Sequence, residues 1–251
     1  MPAYPAVRKR HQHIEVIKEM PAVAGLPAWS LGRAETPDGL TLYFVICDAL
    51  YDRDGSPYGA SGTDFGDNDV RFARLSMAAA EIAEGTADPN WRPHVVHAND
   101  WPTALTPAYI KWKELDTASI LTIHNLAYQG LFGRDQLGAL AIPEQAMSIE
   151  GVEFHGRVSF LKAGIFYASH VTTVSETYAR EITSWEHGCG LDGLLRTRDE
   201  RGELTGILNG IDSSWETFAR EAEGPEFVRD WKSQKARELR RMFRLDEAEG
   251  P

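Results

Sequence analysis

The sequence has 251 residues, 43% apolar and 25% charged, the values of a folded chain with enough apolar material for one large α/β domain or two small ones. A formal net charge of −11 argues against a nucleic-acid partner, because a phosphate backbone demands clustered Lys and Arg, although one anionic ligand at a helix start is compatible with it. Two cysteines, Cys47 and Cys189, without CxxC or His/Cys ligand spacing argue against a disulfide framework or a structural zinc site. No apolar stretch approaches the roughly 18–20 residues of a membrane span, and MPAYPAVRKRHQH carries charges where a signal peptide is apolar, so the expected location is the cytoplasm, away from membranes.

In chain order, apolar β-rich runs ending in polar or turn residues occur at 40–48 (LTLYFVICD), 94–100 (HVVHAND), 119–125 (SILTIHN), 170–175 (HVTTVS) and 204–210 (LTGILNG). After the first run comes a turn-rich loop, LYDRDGSPYGASGTDFGDND, with Tyr51, Tyr58, Gly59, Gly62 and Gly66. It reads as an ordinary surface loop or as a sugar-stacking rim. A helix is expected over 68–83, with Asn68 as its cap, apolar residues three and four apart and an Ala-rich interior. Shorter helices are expected over 103–112 and 158–168. Ser175 is an N-cap candidate for the helix that follows it. An amphipathic helix is expected over 226–247, with Phe227, Trp231, Leu239, Met242 and Phe243 roughly on one face; it either packs on the preceding lobe or begins a connection to another domain.

Strands alternating with helices predict an α/β fold, a Rossmann-like parallel sheet flanked by helices. Ligands of such sheets sit outside the carboxyl ends of the strands. Here those ends carry Asp48, Asn99 with Asp100, His124 with Asn125, Ser175, and Asn209 with Asp212.

Asp100 reads either as a helix N-cap ahead of Trp101-Pro102 or as a ligand contact, and the two roles are compatible. His97, inside its strand, reads as a buried and satisfied histidine. His124 and Asn125 follow a core strand where the chain must turn, and both donate and accept hydrogen bonds, as sugar hydroxyls require. Lys162 reads as a surface-snorkelling side chain. HGCGLDGLL, with Gly188, Gly190 and Gly193, reads as a plain turn or as a loop that lets a ligand approach the backbone. P-loop, GxSxG, HExxH and strand-following GxGxxG patterns are all absent.

Taken in order, YDRDGSPYG, DNDVRFARLSMAAAE, WRPHVVHANDWPTAL, SILTIHNLAYQGLF, GVEFHGRVSFLKAGIFYASHVTTVSETYAREI, GLDGLLRTR and GILNGID resemble bacterial glycogen synthase and plant starch synthase across 1–245. The resemblance implies a two-lobed glycosyltransferase B-type fold and retaining transfer of glucose from ADP-glucose to the non-reducing end of an α-1,4-glucan such as glycogen. Residues 1–225 then look like the N-terminal, acceptor-side lobe, and 226–251 like the helical start of the connection to a C-terminal lobe.

By the same resemblance His124 is the catalytic-centre histidine beside the donor glucose, and Asn125 contacts the same sugar. Tyr58 and Asp100 bind or position sugars, Gly190 belongs to a loop near the site, and Asn209, Gly210 and Asp212 form an NGxD motif. No metal and no cofactor are implied. The family's KTGGL-type phosphate loop and its second lobe fall outside the sequence, so the expectation is a lobe truncated at both ends and inactive alone. Asn99-Asp100-Trp101-Pro102 stands where the family shows His-Asp-Trp-His. Two other readings stay open, a non-catalytic α-glucan-binding module and a glycosyltransferase using another sugar nucleotide.

Overall fold

The runs richest in β-branched and aliphatic residues form the parallel sheet, because strands covered on both faces need apolar side chains on both. In the computed structural model, which describes residues 1–212 and 224–245, its strands are β6 (Val95–Asn99), β7 (Ala118–Ile123), β11 (His170–Thr173) and β12 (Leu204–Gly206). Their order is β12-β11-β7-β6, all parallel. Leu121, Ile123 and Val171 are fully buried in its centre. The described residues belong to two compact units, Met1–Leu208 and Asn209–Pro251.

The helices of the first unit are α1 (Pro5–Arg10), α2 (Asp48–Tyr51), α3 (Asn68–Glu84), α4 (Asp100–Thr103), α5 (Leu105–Trp112), α6 (Phe160–Tyr167), α7 (Glu176–Glu181) and α8 (Asp192–Glu200). The expected helix over 103–112 is two helices, broken at Ala104. The one over 158–168 starts two residues later, because Val158 belongs to a strand. On α6, Gly164 is obligatory: a Cβ there would lie 2.8 Å from Ala104 Cβ and 2.9 Å from Leu121 Cδ2, so its absence lets α6 seat directly on α5 and the sheet.

Asn68 does not cap α3. The helix begins with it, and its side chain donates to Tyr58 O (2.8 Å) and accepts from Arg71 Nη1 (2.6 Å), which anchors the preceding loop. That loop contains a small hairpin, β4 (Gly59–Ala60) with β5 (Thr63–Asp64). Between β7 and α6 lie β8 (Leu131–Phe132), β9 (Glu153–Phe154) and β10 (Arg157–Ser159), a three-stranded antiparallel patch.

The run at 40–48 is not part of the parallel sheet. It is β3 (Thr41–Ile46), which pairs antiparallel with β2 (Trp29–Glu35), itself antiparallel to β1 (Glu15–Met20). Asp48 is therefore removed from the parallel sheet's rim and pairs with Arg8. This second sheet buries Trp29, Leu31, Val45 and Cys47 with Ala78 of α3. A buried polar clamp fixes the junction: Arg74 of α3, fully buried, bonds Glu81 Oε2, and Trp29 Nε1 donates to the same oxygen at 2.9 Å.

In the second unit, α9 (Pro225–Phe243) begins with proline after Gly224, as first-turn geometry favours, and ends at Arg244 in the left-handed region. Its apolar residues Phe227, Trp231, Leu239, Met242 and Phe243 are between 37% and 75% exposed. Residues 246 and 247 of the expected helix lie outside the described residues. No helix among the described residues is long and apolar enough to cross a membrane.

The clamp yields a test. Burial pushes the Glu81 carboxyl above its usual range, and Arg74 opposes that shift. Arg74→Met is expected to destabilise the chain by about 3–5 kcal/mol in urea unfolding at pH 7, with partial recovery when Glu81→Gln is added. A raised carboxyl pKa means that the folded state holds its proton more tightly than the unfolded chain. Removing Arg74 takes away a group that opposes the shift, so Glu81 is raised further in Arg74→Met, and the penalty shrinks as pH falls through that higher value.

Candidate functional site

Parallel pairing of β6 with β7 sets Asn99 opposite Thr122, so the residues leaving the two strands emerge side by side. The first residue out of β6 is Asp100, whose backbone is left-handed (φ 52°), a region that Asp tolerates better than most residues. That turn carries its carboxylate to the end of β7. Oδ1 accepts from the His124 backbone N–H at 2.8 Å, and Oδ2 lies 2.9 Å from His124 Nδ1.

Asp100 is therefore not the N-cap of α4. Asn99 occupies that position without a side-chain cap bond, and Thr103 Oγ1 instead accepts from Asn99 N at 2.7 Å. A carboxylate oxygen 2.9 Å from Nδ1 favours the Nδ1–H tautomer of the neutral His124 ring. Nε2 then presents a lone pair, and among the described residues nothing bonds to it. The two side chains are 45% and 33% exposed, open enough for a ligand to reach them.

The turn after His124 is held from several sides. Asn125 Oδ1 accepts from Ala127 N at 3.0 Å, which leaves the Asn125 amide nitrogen outward. Ser175 caps α7 by accepting from Tyr178 N at 3.0 Å, as expected, and the Tyr178 hydroxyl accepts from Leu126 N at 3.0 Å. Gln129, 8% exposed, donates from Nε2 to Cys189 O at 3.0 Å and so ties this turn to the HGCGLDG loop. Gly130 has φ 61°, and a Cβ there would sit 2.4 Å from Trp101.

Trp101 is the aromatic hub beneath the site, with Phe72, Tyr58, Phe132 and Phe160 at centroid distances of 4.8, 5.9, 6.0 and 6.5 Å. Tyr58 is 44% exposed, and burial together with the nearby Asp100 charge raises its phenol pKa. At neutral pH it is a neutral hydroxyl, able to donate to a ligand.

Tyr58, Asp100, His124 and Asn125 thus come together at the carboxyl rim of the sheet, and Gly190 is joined to them through Gln129. Gly190 has φ 80°, and a Cβ there would lie 3.0 Å from Phe154. Asn209, Gly210 and Asp212 are exposed and belong to the second unit. Two expectations are corrected. Lys162 does not snorkel: it is 7% exposed, with Nζ donating to Ile149 O at 2.8 Å and to Glu153 O, and burial lowers its pKa. His97 is bonded, at 2.6 Å to Thr122 Oγ1, yet exposed, because β6 is the sheet's edge strand among the described residues.

Trp101, Gln129 and Tyr178 were not singled out as site-forming by sequence reasoning. Only the three-residue spacing of Tyr178 from its cap Ser175 hinted at an inward position. Among the described residues, no group of three or more His, Cys, Asp or Glu side chains is arranged to hold a metal ion.

Comparison with known proteins adds independent findings. The family model described as "Starch synthase catalytic domain" matches residues 1–197. Glycogen synthase 1 of Bradyrhizobium diazoefficiens is 52% identical over 255 residues, covering 100% of this chain and 55% of that protein. Glycogen synthase of Pseudomonas putida is 51% identical, with 100% and 49% covered. The chain spans about half the length of the curated relatives it matches. Among solved structures, the catalytic domain of starch synthase IV from Arabidopsis thaliana, bound to ADP and acarbose, is similar at 29% identity and a TM-score of 0.63. That match covers 74% of this chain and 38% of that one.

The Asp100 to His124 pair predicts a tautomer that NMR can read. In the parent chain at high pH, the His124 ring is expected to carry its proton on Nδ1. Asp100→Ala should give a mixture with the Nε2–H form and cost about 1 kcal/mol of stability.

Proposed function

Because the chain belongs to the starch synthase catalytic domain family, we propose that it supplies the sugar-binding, acceptor-side wall of a retaining glucosyltransferase, which moves glucose from ADP-glucose to the non-reducing end of an α-1,4-glucan such as glycogen. In this reading residues 1–225 form the acceptor-side lobe and 226–251 begin the connection to a second lobe. The compact units divide earlier, between Leu208 and Asn209.

The observation that carries the proposal is the double hold of Asp100 on His124 at the ends of neighbouring strands. A ring fixed in this way offers Nε2 to a hydroxyl of the transferred glucose. The free Asn125 amide and the Tyr58 hydroxyl add neutral partners for the sugars. Retaining transfer builds positive charge on the sugar ring in an oxocarbenium-like transition state, and groups held rigid beforehand stabilise it without reorganising. A carboxylate such as Asp100 beside the sugar would favour such charge by its sign. No step is routed through a metal or cofactor.

The test is a graft in which this chain replaces the matching 255 residues of the Bradyrhizobium relative, assayed for glucose transfer from ADP-glucose to glycogen. The parent graft is expected to be active. His124→Ala should lower kcat by about 10²- to 10³-fold, with the circular dichroism spectrum unchanged. Parental turnover by the His124→Ala graft overturns the assignment, and so does a folded parent graft that binds glycogen without transferring glucose.

A further inference from the structure

The sequence holds five asparagines, Asn68, Asn90, Asn99, Asn125 and Asn209, and the fold treats the last one differently. Asn68 is 5% exposed, and both ends of its amide are bonded, Nδ2 donating to Tyr58 O and Oδ1 accepting from Arg71 Nη1. Asn125 Oδ1 accepts from Ala127 N, and the next backbone N–H, that of Leu126, donates to the Tyr178 hydroxyl. After Asn90, Trp91 N donates to Asp88 O at 3.4 Å. Asn99 ends β6, and its N–H and carbonyl are both bonded by Thr103 Oγ1.

Asn209 has none of these restraints. It and Gly210 are exposed, and among the described residues nothing bonds to its side-chain amide or to the Gly210 N–H. The last anchored residue before it is Ile207, whose N–H donates to Thr173 O at 2.7 Å as the chain leaves β12. A Cβ built on Gly210 meets nothing within 4 Å, so the approach to its nitrogen is open. Glycine also leaves that nitrogen unshielded by any side chain and gives it the widest choice of backbone angles.

We propose that Asn209 is a self-modification site. The Gly210 nitrogen, on losing its proton to solvent base, attacks Asn209 Cγ. The new C–N bond closes a succinimide ring, the Cγ–Nδ2 bond breaks, and Nδ2 leaves as ammonia with a proton taken from water. A water molecule then opens the ring at either carbonyl. One opening leaves aspartate. The other leaves isoaspartate, whose main chain runs through the former side chain and is longer by one methylene. Either product turns a neutral amide into a carboxylate in a chain already at a net charge of −11. The change falls beyond the last strand bond, so the packed core of the first unit is untouched.

The test incubates the chain at mildly alkaline pH beside a synthetic peptide of residues 202–220, the tryptic fragment in which Asn209 is the only amide side chain. Mass spectrometry of the digest reads conversion of amide to acid, and chromatography separates the aspartate and isoaspartate forms. Asn209 is expected to convert to both forms at a rate within about threefold of the peptide's, as where no free energy of opening has to be supplied, while Asn68 and Asn125 stay amides. Gly210→Val places a branched side chain beside the attacking nitrogen and is expected to slow conversion about tenfold or more, with the urea midpoint unchanged. Conversion in the chain about tenfold or more slower than in the peptide overturns the proposal. So does a product without isoaspartate, equal conversion at Asn125, or a Gly210→Val chain that converts at the parental rate. The readout requires no glucose transfer, so its outcome is independent of the graft assay.

Discussion

One carboxylate, Asp100, joins the ends of two adjacent parallel strands, and the geometry of the crevice follows from that contact. It depends first on register. With Asn99 opposite Thr122, the residue after β6 reaches the residue that follows β7, and a one-residue slip would send the side chains to opposite faces. It depends next on a left-handed backbone at Asp100, a conformation that costs of the order of 1–3 kcal/mol in a non-glycine residue, less for Asp than for most. One hydrogen bond from the His124 backbone N–H to the carboxylate, worth roughly 1–3 kcal/mol, and the 2.9 Å approach of the other carboxylate oxygen to His124 Nδ1 offset that strain. The local distortion persists because it holds His124.

The wall around His124 is not a loop free to adapt. Tyr178 reaches it from a capped helix and Gln129 binds it to the Cys189 carbonyl, while Gly130 lets it rest on Trp101. Trp101 in turn packs on aromatic residues from α3, β8, α6 and the Tyr58 loop. Gly164 seats α6 against α5 and the sheet, so rigidity at the rim is continuous with close packing in the core. The proposed transfer, if its gain comes from preorganised dipoles, requires this continuity.

The parallel strands and the Ser175 cap were legible because their signals are local: unbroken apolar runs for strands buried on both faces, and a Ser before a helical pattern. The antiparallel sheet was not. β1 reads EVIKEM and is mostly exposed, and β2 carries Gly32 and Arg33, so neither shows clean alternation. Lys162 misled because nothing local distinguishes a lysine on an exposed face from one whose ammonium is taken up by two carbonyls of a distant segment. At the site, His124 and Asn125 stood out as polar residues after a core strand. Their partner Asp100 read equally as a cap or as a ligand contact, and its hold on His124 was not legible, since the left-handed turn that redirects it is a tertiary outcome. The roles of Trp101, Gln129 and Tyr178 are likewise set by contacts 29 to 60 residues away along the chain.

Electrostatics separates what this wall recognises from what it does not. It presents a carboxylate, a neutral phenol, an amide and a histidine, in a chain of net charge −11. The basic residues of the adjoining loop and helix are already committed: Arg53 forks onto Asp67 at 2.6 and 2.7 Å, and Arg71, 1% exposed, bonds Leu50 O, Pro57 O and Asn68 Oδ1. A sugar diphosphate set directly against Asp100 would face a like charge in a partly desolvated crevice, where repulsion exceeds its value in water. A developing sugar cation at the same place is attracted. The proposed transferase thus divides its labour by charge, with this wall oriented towards the sugar and the diphosphate turned away from Asp100.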